Sequence, residues 1–340
     1  MSLYAGWAPY RLYFKFLART SRSAMTVKDT YFVKITDSDT GKSAIGECAL
    51  FKGLSSDDLP DYEQRLSEAC NNPLHESPYS SIRFGFECAL QQLEKRSPTD
   101  FEKGFCGIPI NGLIWMGDKA EMSRRIDAKL ADGYKVLKLK IGGIDFNEEL
   151  ELLKYIRSRY SADTLELRLD ANGSFTADNA LNKLEQLSAY GIHSLEQPIK
   201  AKQRDAMARI CKSSPIPIAL DEELIGVPTQ EYANQLLDHI KPQYIILKPA
   251  LCGGLKTASM WADTATSKDI GWWATSALES NIGLAAIGRW ISGYLYSMPQ
   301  GLGTGQLYHN NIESPLYIRE GKLFYDPKRQ WIIPELQWRR

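Results

Sequence analysis

The sequence predicts an α/β protein whose larger part is a closed barrel of parallel strands, and two observations carry this prediction. From about Pro109 onward, short apolar runs alternate with longer amphipathic segments, which is typical of parallel strands joined by helices. Charged residues also follow successive predicted strands at intervals of 25 to 30 residues, about the length of one strand and its helix. No GxGxxG or GxxxxGK[ST] segment is present, so an open nucleotide-binding sheet is disfavoured.

The first hundred residues have a different pattern and predict a separate α+β region. Residues 10–20 and 29–36 are rich in Tyr, Phe, Val and Ile with partial alternation, which is typical of antiparallel strands. Helices are predicted over 61–69 and 78–95. The segment 97–100, Ser-Pro-Thr-Asp, is a suitable boundary before the barrel.

The barrel elements follow one another in strand–helix order. Strands are predicted at 136–141, 165–169, 193–195, 217–220, 244–247 and 272–275. Helices are predicted over 147–158 and 177–190, and further helical segments lie between the later strands. In a closed barrel the C-terminal strand ends converge on one mouth, where the active sites of such folds lie.

Composition is that of an ordinary globular chain and excludes several classes of protein. The 340 residues include 41 basic and 41 acidic ones, and this zero formal charge argues against a nucleic-acid partner. No apolar stretch is long and uninterrupted enough to predict a membrane span. The six scattered cysteines contain no CxxC pair, so we expect reduced thiols and a cytoplasmic protein.

Three carboxylates stand at successive predicted strand ends, namely Asp170, Glu196 and Asp221. Acids aimed at one point repel each other unless a cation neutralises them. Oxygen ligands suit a hard divalent ion, so the sequence predicts Mg²⁺, with Mn²⁺ as an alternative. The competing interpretation is that each acid caps a helix or forms a surface ion pair, which explains one acid more easily than three in series.

Two lysines, Lys138 and Lys140, are two positions apart on one predicted strand, so both side chains point to the same face. Each is expected to lower the pKa of the other, and a lysine nearer neutrality is a competent base. Lys248 follows a strand on the opposite side of the barrel. Lysines and a divalent cation in one cavity predict proton abstraction α to a carboxylate, unless the lysines only line a solvated rim.

Taken in order, these residues resemble the motifs of the enolase superfamily, muconate-lactonizing subgroup. The matching segments are KLK at 138–140, RLDAN at 168–172, LEQP at 195–198, ALDE at 219–222 and Lys248. The resemblance implies a (β/α)7β barrel over residues 104–310 with an N-terminal α+β capping domain over 1–103. It also implies that the tail, 311–340, packs against the capping domain, and that Asp170, Glu196 and Asp221 hold Mg²⁺.

Two further stretches, 247–254 and 275–283, resemble the o-succinylbenzoate synthase family within that subgroup. This implies a hydro-lyase of menaquinone biosynthesis, which removes water from 2-succinyl-6-hydroxy-2,4-cyclohexadiene-1-carboxylate by syn elimination. It implies Lys140 as the base, Lys248 as a cation on the opposite face and Lys138 as the residue that tunes Lys140. The substrate contacts implied by motif position are Asn172, Thr275, Ser276 and Gly301, with Thr275 standing where that family more often has serine.

Other functions remain open at this stage. An N-acylamino-acid racemase or dipeptide epimerase of the same superfamily would need the same lysines, each as a base on its own face. A barrel glycoside hydrolase could use Glu196 and Glu279 but leaves the lysines unexplained. A non-catalytic scaffold would be favoured by loss of a ligand or base, and the sequence has lost none. The expected partner is a small-molecule carboxylate, and the oligomeric state is not predicted.

Overall fold

The computed structural model describes residues 2–19, 24–94, 96–295 and 298–340, and its N-terminal part is a sheet backed by helices. Within these ranges the sheet has three antiparallel strands in the order β1-β2-β3. The strands are β1 (Leu3–Arg19), β2 (Ala24–Asp37) and β3 (Ser43–Cys48), and the helices are α1 (Tyr62–Asn71) and α2 (Ser80–Leu93). Strands β1 and β2 are longer than the sequence pattern indicated. Their pairing extends from Leu3 with Asp37 to Arg19 with Ala24.

Helix α2 lies unusually close to β3 because two glycines face each other. A Cβ on Gly46 would overlap the carbonyl oxygen of Gly85, and a Cβ on Gly85 would overlap Cys48 Sγ. Neither position therefore accepts a larger residue without displacing the backbone. The close approach brings the end of β3, which continues toward the barrel, into a fixed position.

The barrel follows in chain order, as the sequence predicts. In the described residues, a parallel sheet of seven strands runs consecutively from β5 to β11, and a short strand, β4, precedes it. The strands are β4 (Ile108–Pro109), β5 (Gly112–Ile114), β6 (Val136–Lys140), β7 (Glu166–Asp170), β8 (Ser194–Glu196), β9 (Ile218–Leu220), β10 (Tyr244–Leu247) and β11 (Gly271–Ala274). Parallel bridges from Gln300 to Ile110 and from Gly301 to Thr275 close the ring at the position of an eighth strand. This confirms the (β/α)7β fold class.

Helices cover the outside of the ring. They are α3 (Lys119–Ala131), α4 (Phe146–Arg159), α5 (Ala180–Ser188), α6 (Arg204–Ser213), α7 (Gln230–Ile240), α8 (Gly254–Thr266) and α9 (Asn281–Ile291). The largest core lies between helices and strands, and it includes Leu137 and Leu139 of β6. Because neighbouring residues of a strand point to opposite faces, Lys138 and Lys140 then point into the barrel. None of the described helices has the length and apolarity needed to cross a membrane.

The C-terminal tail contacts both parts of the molecule. A hairpin of β12 (Leu316–Arg319) and β13 (Lys322–Tyr325) pairs with β4. Further along, Trp7 N donates to Arg339 O at 2.8 Å and Arg339 N donates to Trp7 O at 2.7 Å, so the last residues lie along β1. The exact boundaries between capping domain, barrel and tail stay a prediction.

Candidate active site

Charged side chains of alternating sign form a continuous chain across the C-terminal strand ends. Its members among the described residues are, in order, Lys140, Asp170, Lys138, Glu196, Lys248 and Asp221. We call this set the ionic chain. Its three carboxylate side chains are at most 3% exposed and its three lysine side chains at most 12%. Charges this deeply buried are stable only when paired, and here each one is paired.

The distances along the ionic chain show close contacts. Lys140 Nζ and Lys138 Nζ both lie 3.0 Å from Asp170 Oδ2, and Lys138 Nζ lies 2.6 Å from Glu196 Oε2. Lys248 Nζ donates to Asp221 Oδ2 and lies 3.8 Å from Glu196 Oε1. The barrel thus brings three basic and three acidic side chains into contact in one small volume.

Strand register explains why these residues meet. The β6–β7 pairing places Lys140 beside Asp170, and the β7–β8 pairing places Asp170 beside Glu196. Asp221 follows β9, and its backbone N–H donates to Gln197 Oε1 at 3.1 Å. The spacing of one charged residue per strand–helix unit therefore becomes contact between neighbours in space.

Burial and neighbouring charges compete in setting the pKa values here. Burial raises the pKa of Glu196 to about 8, with Asp170 adding to the effect, and burial also raises the pKa of Asp221. Burial acts in the same direction on Asp170, but the nearby lysines outweigh it and hold its pKa well below the usual range. For Lys138, burial lowers the pKa, yet Asp170 and Glu196 outweigh it, so the pKa is raised. A neighbouring lysine, Lys248, does lower the pKa of Lys138, but the two carboxylates outweigh it, so the net shift is opposite to the one expected from the lysines alone.

The three carboxylates suit a divalent metal by their chemistry. They supply buried oxygen donors from adjacent strand ends, and neither carboxylate oxygen of Glu196 accepts a well-aligned hydrogen bond from the described residues. In the described ranges no group of three or more His, Cys, Asp or Glu side chains is arranged so that it could hold a metal ion. Lysine ammonium groups lie against the oxygens of Glu196 and Asp221. Asp170, Glu196 and Asp221 offer the hard oxygen donors that Mg²⁺ prefers, and their role as its ligands stays a prediction.

A cavity of about 240 Å³ opens above the ionic chain. It is lined by all seven residues that the sequence analysis assigned to catalysis or substrate contact, namely Lys138, Lys140, Asn172, Lys248, Thr275, Ser276 and Gly301. Apolar side chains such as Leu113, Trp115 and Leu278 form part of the wall. The structure therefore brings the predicted residues together around one space, while their individual roles stay predictions.

Asn172 holds the amine of Lys140 at the cavity. Lys140 Nζ donates to Asn172 Oδ1 at 2.8 Å, and Asn172 Nδ2 donates to Glu222 Oε1 at 3.3 Å. Asn172 has a φ of +45°, and asparagine is one of the few residues that adopts this left-handed conformation readily. Its backbone N–H donates to Asp170 Oδ1 at 3.0 Å, which fixes the turn after β7.

One wall of the cavity carries buried polar atoms at the seam where the barrel closes. Thr275 Oγ1, Thr304 Oγ1 and Asn111 Oδ1 are buried and have no hydrogen-bond partner within the described chain. Gly301 lies against Thr275, and a Cβ there would overlap Thr275 Oγ1. Buried polar groups are normally paired, so these atoms are suited to bind a polar group of a ligand. Sequence analysis did not assign Asn111 or Thr304 to the site. Asn111 lies between β4 and β5.

The capping domain contributes a buried carboxylate that sequence analysis did not assign to the site. Glu47 accepts hydrogen bonds from Ser280 N at 3.0 Å, Ser280 Oγ at 2.6 Å and Gly283 N at 3.0 Å, which lie at the start of α9. Thr30 Oγ1 of β2 donates to the same carboxylate at 2.9 Å. A helix N-terminus has free N–H groups and favours negative charge, so Glu47 ties the capping domain to the barrel.

Next to Glu47 lies a second buried acid that connects with the cavity wall. Glu279 Oε2 accepts a hydrogen bond of 2.5 Å from Ser276 Oγ, and Ser276 lines the cavity. Burial raises the pKa of Glu279 to about 7. Lys28 of β2 is 5% exposed and faces Glu47 and Glu279, and burial lowers its pKa although the two acids act in the opposite direction. Signals for these contacts are weak in the sequence, because they depend on how two domains pack.

Leu278 is held in the left-handed conformation beside the cavity, with a φ of +66°. Its N–H donates to Ser276 Oγ at 3.0 Å, and its carbonyl oxygen accepts from Tyr308 Oη at 2.8 Å. Such a conformation is unfavourable for a leucine and persists when the surroundings impose it. The loop after β11 therefore presents an apolar side chain to the cavity in a fixed position.

Comparisons with known proteins identify the family of this chain. The model of the family described as "Enolase C-terminal domain-like" matches residues 121–323, which is more than half of the chain. The chain belongs to the enolase superfamily, as its motifs and its barrel site indicate.

Individual relatives are more specific. The o-succinylbenzoate synthase of Desulfotalea psychrophila is 43% identical over 92% of this chain and 96% of its own length. The crystal structure of MenC from Desulfotalea psychrophila superposes with a TM-score of 0.80 at 39% identity, covering 95% of this chain and all of the other. The L-amino acid-D/L-Glu epimerase of Francisella philomiragia is 26% identical over 67% of this chain and 64% of its own length.

Proposed function

We propose that this chain is an o-succinylbenzoate synthase. It would remove water from 2-succinyl-6-hydroxy-2,4-cyclohexadiene-1-carboxylate and give the aromatic product o-succinylbenzoate. The observation that carries the proposal is the 43% identity to a synthase over 92% of the chain, because it extends through both the capping domain and the barrel. We place this reaction in menaquinone biosynthesis in the cytoplasm.

Lys140 is the proposed base. Its Nζ lies at the cavity, where Asn172 Oδ1 and Asp170 Oδ2 fix its position at 2.8 and 3.0 Å. In its neutral form it removes the proton α to the ring carboxylate. The ammonium that results then gives this proton to the departing hydroxyl on the same face, so one base is sufficient for a syn elimination.

Lys248 is the proposed cation on the opposite face. It follows β10, four strands away from β6 in the ring, and Asp221 and Glu196 lie beside its Nζ. From there an ammonium stabilises negative charge that develops on the ring and its carboxylate. Lys138 lies between Asp170 and Glu196, and we propose that its charge tunes Lys140 through the shared Asp170.

Asp170, Glu196 and Asp221 are the proposed ligands of Mg²⁺, or alternatively of Mn²⁺. When bound, the metal supplies positive charge beside the substrate carboxylate, which gains negative charge as the α-proton leaves. Around the rest of the substrate, Ser276 and the unpaired Thr275 hydroxyl would contact polar groups, with Gly301 leaving the necessary space. The apolar wall would cover the ring.

A racemase or epimerase of N-acylamino acids or dipeptides is the second candidate. Lys140 and Lys248 both line the cavity from opposite sides, and two bases on opposite faces are what such a reaction needs. The 26% identity to an epimerase is compatible with this chemistry but covers only part of each chain.

A direct assay separates the two functions. The purified chain is mixed with the cyclohexadiene substrate in Mg²⁺ buffer, and the loss of diene absorbance and the identity of the product are followed. In parallel, N-succinyl amino acids and L-Ala-L-Glu are incubated with it in deuterated water to detect exchange of the α-proton. We expect rapid formation of o-succinylbenzoate. Exchange without diene turnover would overturn the synthase in favour of the second candidate.

A further inference from the structure

We infer that Trp115 is a positioning residue for the proposed base, because the face of its ring holds the amine of Lys140 in place. Trp115 directly follows β5, and its side chain is one of the apolar groups that line the cavity. The inference rests on the proposed function, which makes Lys140 the base. It adds an uncharged barrel residue whose effect on the reaction passes through Lys140.

Strand register brings Trp115 and Lys140 together. In the β5–β6 pairing Ile114 lies beside Leu139, so the residues that come next, Trp115 and Lys140, are neighbours at the carboxyl ends of the two strands. Lys140 Nζ lies over the Trp115 ring, 5.7 Å from its centroid. An ammonium group within about 6 Å of a tryptophan face is attracted to it. Trp115 thus contacts the amine from the side of β5, whereas the hydrogen-bond partners of the amine lie on the side of β7.

The ring of Trp115 is itself fixed by the capping domain and by the helix that follows. Phe14 and Phe16 of β1 pack against it in edge-to-face geometry, with ring centroids at 6.4 and 5.9 Å. Arg125 Nη1 of α3 donates to Trp115 O at 2.9 Å, and the same guanidinium lies over Phe16, 5.1 Å from its centroid. Trp115 is 3% exposed. A base displaced by about 1 Å can lose about a hundredfold in rate, so a ring fixed in this way affects catalysis by positioning Lys140.

The indole N–H offers a competing role. Trp115 Nε1 is buried and has no hydrogen-bond partner within the described chain. If this N–H bound a polar group of the substrate, Trp115 would be a wall contact and not a positioning residue. The contact that the structure shows is to the ring face, with Lys140 Nζ over it. Mutation separates the two roles, because phenylalanine keeps a ring face without the N–H and leucine has neither.

Kinetics of these two variants test the inference. We expect Trp115→Leu to lower kcat for the diene about tenfold and to raise KM by less than about threefold, since the amine loses one of its contacts. Trp115→Phe should keep kcat within about threefold of wild type. The matched control is Trp272→Leu, which removes a tryptophan of β11 that does not line the cavity and should keep the wild-type kcat.

Three kinetic results would overturn the inference. A wild-type kcat for Trp115→Leu would show that the ring does not act on the base. Equal losses of kcat in Trp115→Leu and Trp115→Phe would assign the effect to the N–H. A loss confined to KM would make Trp115 a wall contact only. Thermal unfolding of each variant checks that it is folded.

Nuclear magnetic resonance tests the contact itself without turnover. The chain is labelled with carbon-13 at the ε-carbon of lysine, and Lys140→Arg identifies the Lys140 signal by its absence. Protons over a ring face are shifted upfield, so we expect the Lys140 ε-protons upfield of those of exposed lysines in wild type and Trp115→Phe, but not in Trp115→Leu. An unshifted signal in wild type would overturn the inference, even if Trp115→Leu does not fold. A shifted signal in a wild-type chain that does not turn over the diene would count against the proposed function instead.

Discussion

The floor of the barrel and the capping domain contribute to the same cavity in different ways. The floor carries its charged residues at strand ends, where the two-residue period and the strand register fix their positions. The capping domain reaches the cavity through a loop and through buried side chains such as Glu47, whose positions depend on how two domains pack. The residues proposed to carry out the chemistry therefore follow from local pattern, whereas the capping-domain residues near the cavity follow from tertiary structure.

Lys140→Ala should have the largest effect, because it removes the proposed base at the floor. We expect kcat to fall by about a thousandfold or more, since general acid–base catalysis contributes roughly 10²- to 10⁴-fold and here one residue would serve twice. Steady-state diene turnover measures the effect, and an unchanged thermal unfolding transition would show that the fold is intact. If more than a few per cent of the wild-type rate remains, Lys140 is not the base.

Asp221→Asn should have the next largest effect on activity. The change keeps the shape but removes one of three proposed ligand charges, so we expect weaker Mg²⁺ binding and a rate lower by about 10- to 100-fold. Titration with Mg²⁺ by calorimetry and by turnover measures both quantities. An unaltered Mg²⁺ dependence would mean that Glu222 or another group is the third ligand.

Glu47→Ala tests the capping-domain side of the comparison. It would leave the hydroxyl of Thr30 and the N–H groups of Ser280 and Gly283 without their buried acceptor. We expect the free energy of unfolding to fall by about 3 kcal/mol, as for other losses of a buried charged acceptor. Urea denaturation measures it. Glu94→Ala removes an exposed glutamate of the same domain and should change stability by less than about 0.5 kcal/mol. Equal stabilities for the two variants would refute the tie between domains.

The sequence specified much of the barrel and little of the cavity mouth, for physical reasons. Lys138 and Lys140 could be assigned to one face because a strand has a period of two. Asp170 and Glu196 could be assigned to the mouth of the barrel because each ends a strand. Lys28 carries no such signal, since a lysine on an alternating strand is usually exposed. Lys52 and Asn111 lie outside the strands and helices, where sequence period says nothing about direction. Glu279 and Glu47 become neighbours only through the packing of α9 against β3, which the sequence does not show.

Glu279→Gln should leave activity least affected and should change how stability depends on pH. Burial raises the pKa of Glu279 from its ordinary value of 4.5 to about 7. Below pH 4.5 the acid is protonated in both states. As the pH rises to 7 and above, the unfolded chain ionises first and the folded state loses relative stability, by up to about 3 kcal/mol. The glutamine variant cannot ionise, so this part of the loss should be absent from it.

Unfolding free energies from urea denaturation at pH 5 and pH 8 measure this difference. Wild type should lose more stability between the two pH values than Glu279→Gln does. Glu185→Gln, at an exposed position on α5, should follow wild type. The same pH dependence in Glu279→Gln and wild type would mean that Glu279 ionises equally in both states.

The Mg²⁺ dependence of diene turnover tests the central claim most directly, because the claim joins the carboxylates of the barrel floor to the proposed reaction. The full-length wild-type chain is stripped with EDTA, assayed for loss of diene absorbance, and assayed again as Mg²⁺ is added back. We expect turnover to disappear with EDTA and to return in full with Mg²⁺, with o-succinylbenzoate as the product. Turnover that continues undiminished in excess EDTA, or no diene loss by a chain that binds Mg²⁺, would contradict it.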